Sequence, residues 1–357
     1  MNDEFFAVIK LVTGEEILGY IHLHEDGIII HNALLLEDLS AFMEFVNNED
    51  NTGAVKLSKF LKEKNPSLTI AFIGSYVQAL PRKALLDEPS IDFLFTNEGV
   101  ISLLEVLSND DLSSKGLRNV KGLCIRDKEG NPVLTEPGQI VPGEQLDNLL
   151  PGYAWDLLPF NVKPLDLYRS PLWHAEYQDA YRSPYAAIQT SLGCNFGCTF
   201  CMINILNRND NEEIGVASAY KGMRFWSTDF VLRQIDILHD LGVSTIRIVD
   251  EMFLLYKKHY LPLCESLAKR QYAPDLKMWS YSRVDTVTNP EFLKIVRAAG
   301  IKWLCLGIES ANRNVRLEVS KGKFQDVDIK RVVEQVHNAD IEIMANYMVG
   351  LPGESLS

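Results

Sequence analysis

The sequence has no run of about 18 or more apolar residues, which excludes a membrane-spanning helix. Its start, Met1-Asn2-Asp3-Glu4-Phe5-Phe6, lacks the positively charged segment that opens a secretory signal. Basic residues are scarce. Thirty-five Lys and Arg stand against 48 Asp and Glu, a net charge of −13. Neutralising a phosphate backbone needs a basic surface, so nucleic acid is not the expected partner. Cysteine is sparse as well, with six in 357 residues. The expected compartment is the reducing cytoplasm, where a few cysteines point to metal or catalytic chemistry rather than disulfides.

What is present is unevenly placed. Residues 1–50 hold eleven acids against one base, Lys10, and the remainder is close to neutral. Within that acidic segment, Phe5 to Val12, Ile17 to His22 and Ile28 to Ile30 alternate like strands, with Asp26-Gly27 as a hairpin turn. A β-meander over 1–46 is expected. It weakly resembles the first half of an Sm-like barrel, and its acidity argues for a structural appendage rather than an RNA-binding one. The polar stretch Asn47 to Gly53 marks a boundary. After it, helical patterns (55–64, 82–87, 99–108) alternate with strands (68–74, 91–95), then a hairpin covers 122–134. Cys124 falls in the first hairpin strand and reads as a small buried hydrophobe.

From Tyr185 the alternation becomes regular. Strands are expected at 186–192, 243–249, 276–283, 301–308 and 341–349, and helices near 227–241, 257–269, 289–299 and 326–338. Ser227 is a cap for the first helix; Asn289 and Pro290 open the third, which Gly300 ends. Five such repeats in a row predict an α/β chain ending in a partial TIM-type barrel rather than a doubly wound sheet.

Directly after the first of these strands stands Cys194-Asn195-Phe196-Gly197-Cys198-Thr199-Phe200-Cys201, spacing C-x3-C-x2-C. Three thiolates on one short loop are able to hold three irons of a cubane and leave the fourth iron open. A structural zinc site would need a fourth protein ligand. Cys264 and Cys305 fall mid-helix and mid-strand, poorly placed to supply one, and His174 is far upstream. The spacing resembles the signature of the radical S-adenosylmethionine (SAM) superfamily, and the resemblance extends over residues 185–357. It implies a [4Fe-4S] cluster on Cys194, Cys198 and Cys201, with SAM chelating the open iron and Phe200 packing near adenine.

Active sites of such barrels sit at the carboxyl ends of the strands, and each expected strand ends in distinctive residues. The resemblance implies that Asp250 and Glu251 meet the SAM amino group, although the family's usual Gly-Gly-Glu is absent. Ser282 and Arg283 would approach the carboxylate or ribose. Glu309 lies in a Gly-Ile-Glu-Ser element like that of the family's fourth strand, and Gly350, opening Gly350-Leu351-Pro352-Gly353-Glu354, matches the turn near adenine. Arg224 has two readings, facing the site or standing as a solvated base before a helix. The implied chemistry is reductive cleavage of SAM to methionine and a 5′-deoxyadenosyl radical, with an electron donor such as flavodoxin or ferredoxin as partner.

Residues 54–160 resemble the second half of a cobalamin (B12)-binding domain, a partial Rossmann-like αβ unit with a linker ending Leu149 to Pro159. The family's cobalt-binding loop D-x-H-x-x-G is not reproduced: His24-Glu25-Asp26-Gly27 has His22 where Asp should be. Some relatives bind cobalamin without that His, so cobalamin stays open. The chain stops after the fifth strand and reads as a fragment of a longer enzyme. Expected functions are methyl transfer or a skeletal or ring modification of an unidentified substrate. A methylthiotransferase-like enzyme on RNA or protein would need a second cysteine set upstream. An Sm-like binding module with an inactive barrel is the third reading. Residues 202–225 are a candidate lid or substrate loop.

Overall fold

A computed structural model describes residues 4–10, 16–24, 27–36, 53–157, 184–201, 203, 222–321, 324 and 326–353. The amino-terminal strands β1 (Glu4–Lys10), β2 (Glu16–His24) and β3 (Gly27–Leu36) form the expected antiparallel meander, in the order β1-β2-β3.

The next unit begins with α1 (Gly53–Lys64) and has a sheet of four short strands. Its strands are β4 (Ala71–Phe72), β5 (Phe93–Phe95), β6 (Leu123–Arg126) and β7 (Pro132–Leu134). β4 and β5 run parallel, whereas β5-β6-β7 are antiparallel. Helices α2 (Ser75–Ala79), α3 (Pro81–Asp87) and α4 (Val100–Leu107) fill the connections. Cys124 is fully buried in β6 beside Leu85, Ile91 and Leu94, as a small hydrophobe should be.

A short helix, α5 (Leu146–Leu149), then leads through a linker packed on the carboxy-terminal unit. Trp155 donates from Nε1 to Oε1 of Gln234 at 3.0 Å, and Trp226 donates from Nε1 to the Leu150 carbonyl at 3.0 Å. Val141, Leu146 and Trp155 thereby join the main core.

That core backs a five-stranded parallel sheet of β8 (Tyr185–Ile188), β11 (Thr245–Ile248), β12 (Lys277–Arg283), β13 (Ile301–Glu309) and β14 (Glu342–Tyr347). The spatial order β8-β11-β12-β13-β14 never reverses. A doubly wound sheet would reverse at a switch point, so the sheet is the singly wound arc of a partial barrel. Helices α6 (Thr228–Asp240), α7 (Lys257–Leu267), α8 (Pro290–Ala298) and, after a shorter α9 (Arg313–Val319), α10 (Ile329–Asn338) complete the repeats. Ser227 and Asn289 accept hydrogen bonds from Phe230 and from Glu291 and Phe292, so both expected caps form. Gly300 has φ +96°, and a Cβ there would lie 2.6 Å from the Leu276 Cβ; the turn into β13 requires glycine.

Period two along the strands sorts the two faces. Ile246, Ile248, Met278, Leu304 and Leu306 pack against the helices. Trp279, Tyr281, Trp303, Cys305 and Met344 gather on the other face. Two features lie outside the expected pattern. The strand expected over 186–192 splits into β8 and β9 (Ser191–Leu192), and β9 pairs antiparallel with β10 (Arg224–Phe225). Helix α9 follows the fourth strand in a stretch with too few apolar repeats to mark it. Residues 202 and 204–221 of the expected lid and Glu354 fall outside the described residues.

Candidate active site

The cysteine loop begins from an anchored turn. Between β8 and β9, Thr190 and Ser191 wrap around Asp250. Oδ1 accepts from the Thr190 backbone N–H at 2.7 Å, and Oδ2 accepts from Thr190 Oγ1 and Ser191 Oγ, both at 2.6 Å. Thr190 Oγ1 also meets His259 Nε2 at 2.8 Å. Asp250 is completely buried. Burial raises its carboxyl above the usual range, and the Ser191 and Thr190 hydrogen bonds oppose the shift. This placement differs from the expectation that Asp250 meets the SAM amino group: both its oxygens are turned inward to fix the turn ahead of the cysteines.

Beyond that turn, a cavity of about 330 Å³ opens at the carboxyl ends of the strands. Cys194, Cys198 and Cys201 line it together with Phe200, Glu251, Ser282, Arg283 and Glu309. Eight of the ten expected site residues therefore share one wall. Cys194 is buried, Cys198 half-buried and Cys201 exposed. Burial pushes the Cys194 thiol up to about 11, and raises Cys198 against the opposing pull of Arg283.

Glu251 differs from its neighbour. Its Oε2 is buried with no hydrogen-bond partner, and burial pushes the carboxyl up to about 7. A buried carboxylate oxygen without a donor is a costly arrangement unless a ligand supplies one. Glu309 is the second carboxylate that lines the cavity. It has φ +68°, rare for a residue with a side chain, at an irregularity in the β13–β14 register. A Cβ on Gly307 would stand 2.5 Å from Glu309 Oε1, so the absence of a side chain at 307 makes room for that carboxylate. Burial raises the Glu309 carboxyl, and Arg283 opposes the shift.

Ser282 reaches the cavity, but its Oγ also accepts from the Leu254 N–H at 3.3 Å and lies 3.3 Å from Thr286 Oγ1. Arg283 is bound to Asp285 through two hydrogen bonds, at 2.6 and 2.7 Å. Gly350, with φ +84°, is outside the cavity wall; Leu351 beside it packs on Val315 and Val319. Asn346 and Met348 occupy that part of the wall instead. Arg224 is not the solvated base of its second reading, and its charge favours the ionised form of Glu251. It is mostly buried and paired with Glu98 of the preceding unit at 2.7 Å. Sequence reasoning also passed over Phe196, Tyr281, Cys305 and Asn346, which line the cavity. The period-two register of β12, β13 and β14 was the available signal for the last three.

The comparisons with known proteins agree with this geometry. Residues 188–357 match the family model described as the radical SAM superfamily. These residues form a radical SAM domain. Over 306 residues the chain is 27% identical to an uncharacterised methyltransferase of Pyrococcus horikoshii, covering 85% of this chain and 58% of that protein. It is 22% identical to cytidylyl-2-hydroxyethylphosphonate methyltransferase of Streptomyces wedmorensis, covering 86% and 56%. The chain thus spans little more than half the length of these relatives. Among solved structures, the radical SAM methyltransferase TsrM of Kitasatospora setae superposes with a TM-score of 0.61 at 18% identity, covering 86% of this chain and 55% of that one. The cobalamin-dependent SAM radical enzyme OxsB superposes with a TM-score of 0.57 at 18% identity, over 81% and 38%. Both likenesses concern the fold.

The radical SAM superfamily implies a [4Fe-4S] cluster and SAM, and the cavity fits both. Among the described residues, no three His, Cys, Asp or Glu side chains converge tightly enough to enclose a single metal ion. The loop offers three thiols, which suits a cubane that takes one thiolate per iron and leaves the fourth iron open, whereas structural zinc needs four protein ligands. Cys264 is buried within α7, and Cys305, although on the cavity wall, is fully buried with its thiol 3.8 Å from Met344 Sδ. The unpartnered Glu251 oxygen suits an ammonium donor such as the SAM amino group. Residues 53–157 contain no histidine, so they offer no imidazole for cobalt. Among the described residues, no helix is long and apolar enough to cross a membrane.

Proposed function

We propose that the chain carries the SAM-cleaving part of a radical SAM enzyme that transfers a methyl group to, or otherwise modifies, a substrate reached through the cavity. The single observation that carries the proposal is the convergence of Cys194, Cys198 and Cys201 with Glu251 and Glu309 on one cavity at the strand ends. The cluster, when bound, supplies an electron for cleavage of the sulfonium carbon–sulfur bond. The chain's own residues do the rest. The three thiolates hold the cluster, and Glu251 receives the amino group of SAM. Phe196, Phe200 and Met348 supply apolar surface for the cavity. The methyltransferase names of the relatives support methyl transfer as the outcome. Flavodoxin or ferredoxin is the proposed class of electron donor.

The methylthiotransferase-like alternative loses ground, because Cys124 is sealed in the core of the preceding unit. Cobalamin enters no step here. The deciding experiment is anaerobic reconstitution with iron and sulfide, followed by reduction with dithionite and analysis of SAM products. Methionine with 5′-deoxyadenosine, or S-adenosylhomocysteine on methyl transfer, is the expected result. A protein that binds no iron, or loads a full cluster with Cys198→Ser, would overturn the assignment. Adding cobalamin to one arm tests that group separately.

A further inference from the structure

Phe196 stands between the first two cysteines, half-buried, where the C-x3-C spacing asks for nothing in particular. Its ring centroid lies 3.7 Å from the guanidinium carbon of Arg283, and the same carbon lies 4.4 Å from the Phe324 ring. Arg283 is held in that posture by Asp285, through Nε to Oδ1 at 2.6 Å and Nη2 to Oδ2 at 2.7 Å. Both side chains of this pair are at most 5% exposed. The loop has a second tether: the Thr199 N–H donates to the Val319 carbonyl at 2.9 Å, at the end of α9. Neither tether uses a thiol. The backbone on either side of Cys198 is therefore held by groups that persist without iron.

We propose that Arg283 is a positioning residue for the cysteine loop: through the Phe196 ring it holds the segment bearing Cys194 and Cys198 in its cluster-binding posture. The role differs from contact with the SAM carboxylate, and it rests on the cluster assignment above. The physical basis is the planar guanidinium, which binds a carboxylate through its edge while its face stays available to an aromatic ring. Lysine keeps the charge but offers neither the two-pronged pairing nor the flat face. Removed from water, such a cation–ring contact is strong enough to bias a short loop between postures.

The test compares wild type with Arg283→Lys, Phe196→Leu and Phe196→Tyr, each reconstituted anaerobically. Three quantities are read: iron and sulfide per chain, the rate of iron loss to a chelator, and SAM affinity of the loaded protein. Arg283→Lys and Phe196→Leu are expected to lose iron roughly ten-fold faster than wild type, while Phe196→Tyr, which keeps the ring, stays close to wild type. Arg283→Lys that holds iron as wild type does but loses SAM affinity would overturn the proposal and make Arg283 a SAM ligand. Should Arg283→Lys fail to fold, Phe196→Leu decides alone, because it leaves the Arg283–Asp285 pair in place; iron loss at the wild-type rate then overturns the proposal. Wild type that takes up no iron would defeat the cluster assignment itself, and this role with it.

Discussion

Glu98, at the turn before α4, and Arg224, on β10, meet at 2.7 Å with side chains only 14% and 11% exposed. Arg224 also donates from Nη1 to the Val141 carbonyl at 2.6 Å, and Glu98 accepts from the Val141 N–H. One ion pair thus ties the αβ unit, the linker and the hairpin beside the cysteine loop. Removing one partner leaves a largely buried charge unpaired. Arg224→Ala should lower unfolding free energy by about 3 kcal/mol, near the lower end for broken buried pairs. Urea denaturation checks it. The double variant with Glu98→Gln should be destabilised by less than the sum of the single changes.

Asp250 has a structural task that a neutral amide performs badly. Asp250→Asn retains one acceptor oxygen where the native carboxylate uses two. A loss of about 1–3 kcal/mol is expected, with reduced iron uptake because the turn ahead of Cys194 loosens. Stability equal to wild type together with weakened SAM binding would return Asp250 to the ligand role expected from sequence.

Gly307 tests the cradle of Glu309. A methyl group placed 2.5 Å from Oε1 has to push the carboxylate aside. In reconstituted protein, Gly307→Ala should retain its iron and bind SAM about ten-fold more weakly, equivalent to roughly 1.4 kcal/mol. Isothermal titration of SAM into the loaded variant gives the answer. Loss of iron in parallel would implicate the loop rather than the cradle.

His259 makes stability depend on pH. Burial lowers its imidazole from 6.5 to about 4. The unfolded chain therefore binds more protons between those values, and the contribution of the neutral ring is present above pH 6.5 and lost as pH falls toward 4. A shift of that size corresponds to about 3 kcal/mol. Glu251, raised to about 7, slopes the other way over much of the same window. The informative quantity is thus the difference between wild type and His259→Gln, which should shrink as pH drops from 6.5 to 4 in chemical denaturation. A difference independent of pH would mean that the buried ring is not the titrating group.

The places where sequence reasoning and structure part are specific. Cys194, Cys198 and Cys201 were legible from their spacing on one loop, and Glu251 and Glu309 because each follows an apolar strand. Asp250 was not separable from Glu251 by such a rule. Adjacent residues at a strand end point in different directions, and only the packed turn at Thr190 shows which one is turned inward. Arg224 was illegible for another reason, since its partner Glu98 lies 126 positions away. Gly350 was placed by resemblance, whereas the local packing of Leu351 against α9 sets the wall with Asn346 and Met348 instead.

By itself the sequence determined the repeat of strand and helix, the caps at Ser227 and Asn289, and the three thiols on one loop. These depend on neighbours a few residues apart, where periodicity and covalent spacing dictate the outcome. The tertiary structure alone decided which polar residues face the cavity and which are consumed in holding it, as Asp250 and Arg224 are. Burial and hydrogen-bond partners come from strands brought together across long loops, and the energy of a charge depends on that surrounding rather than on its position in the chain.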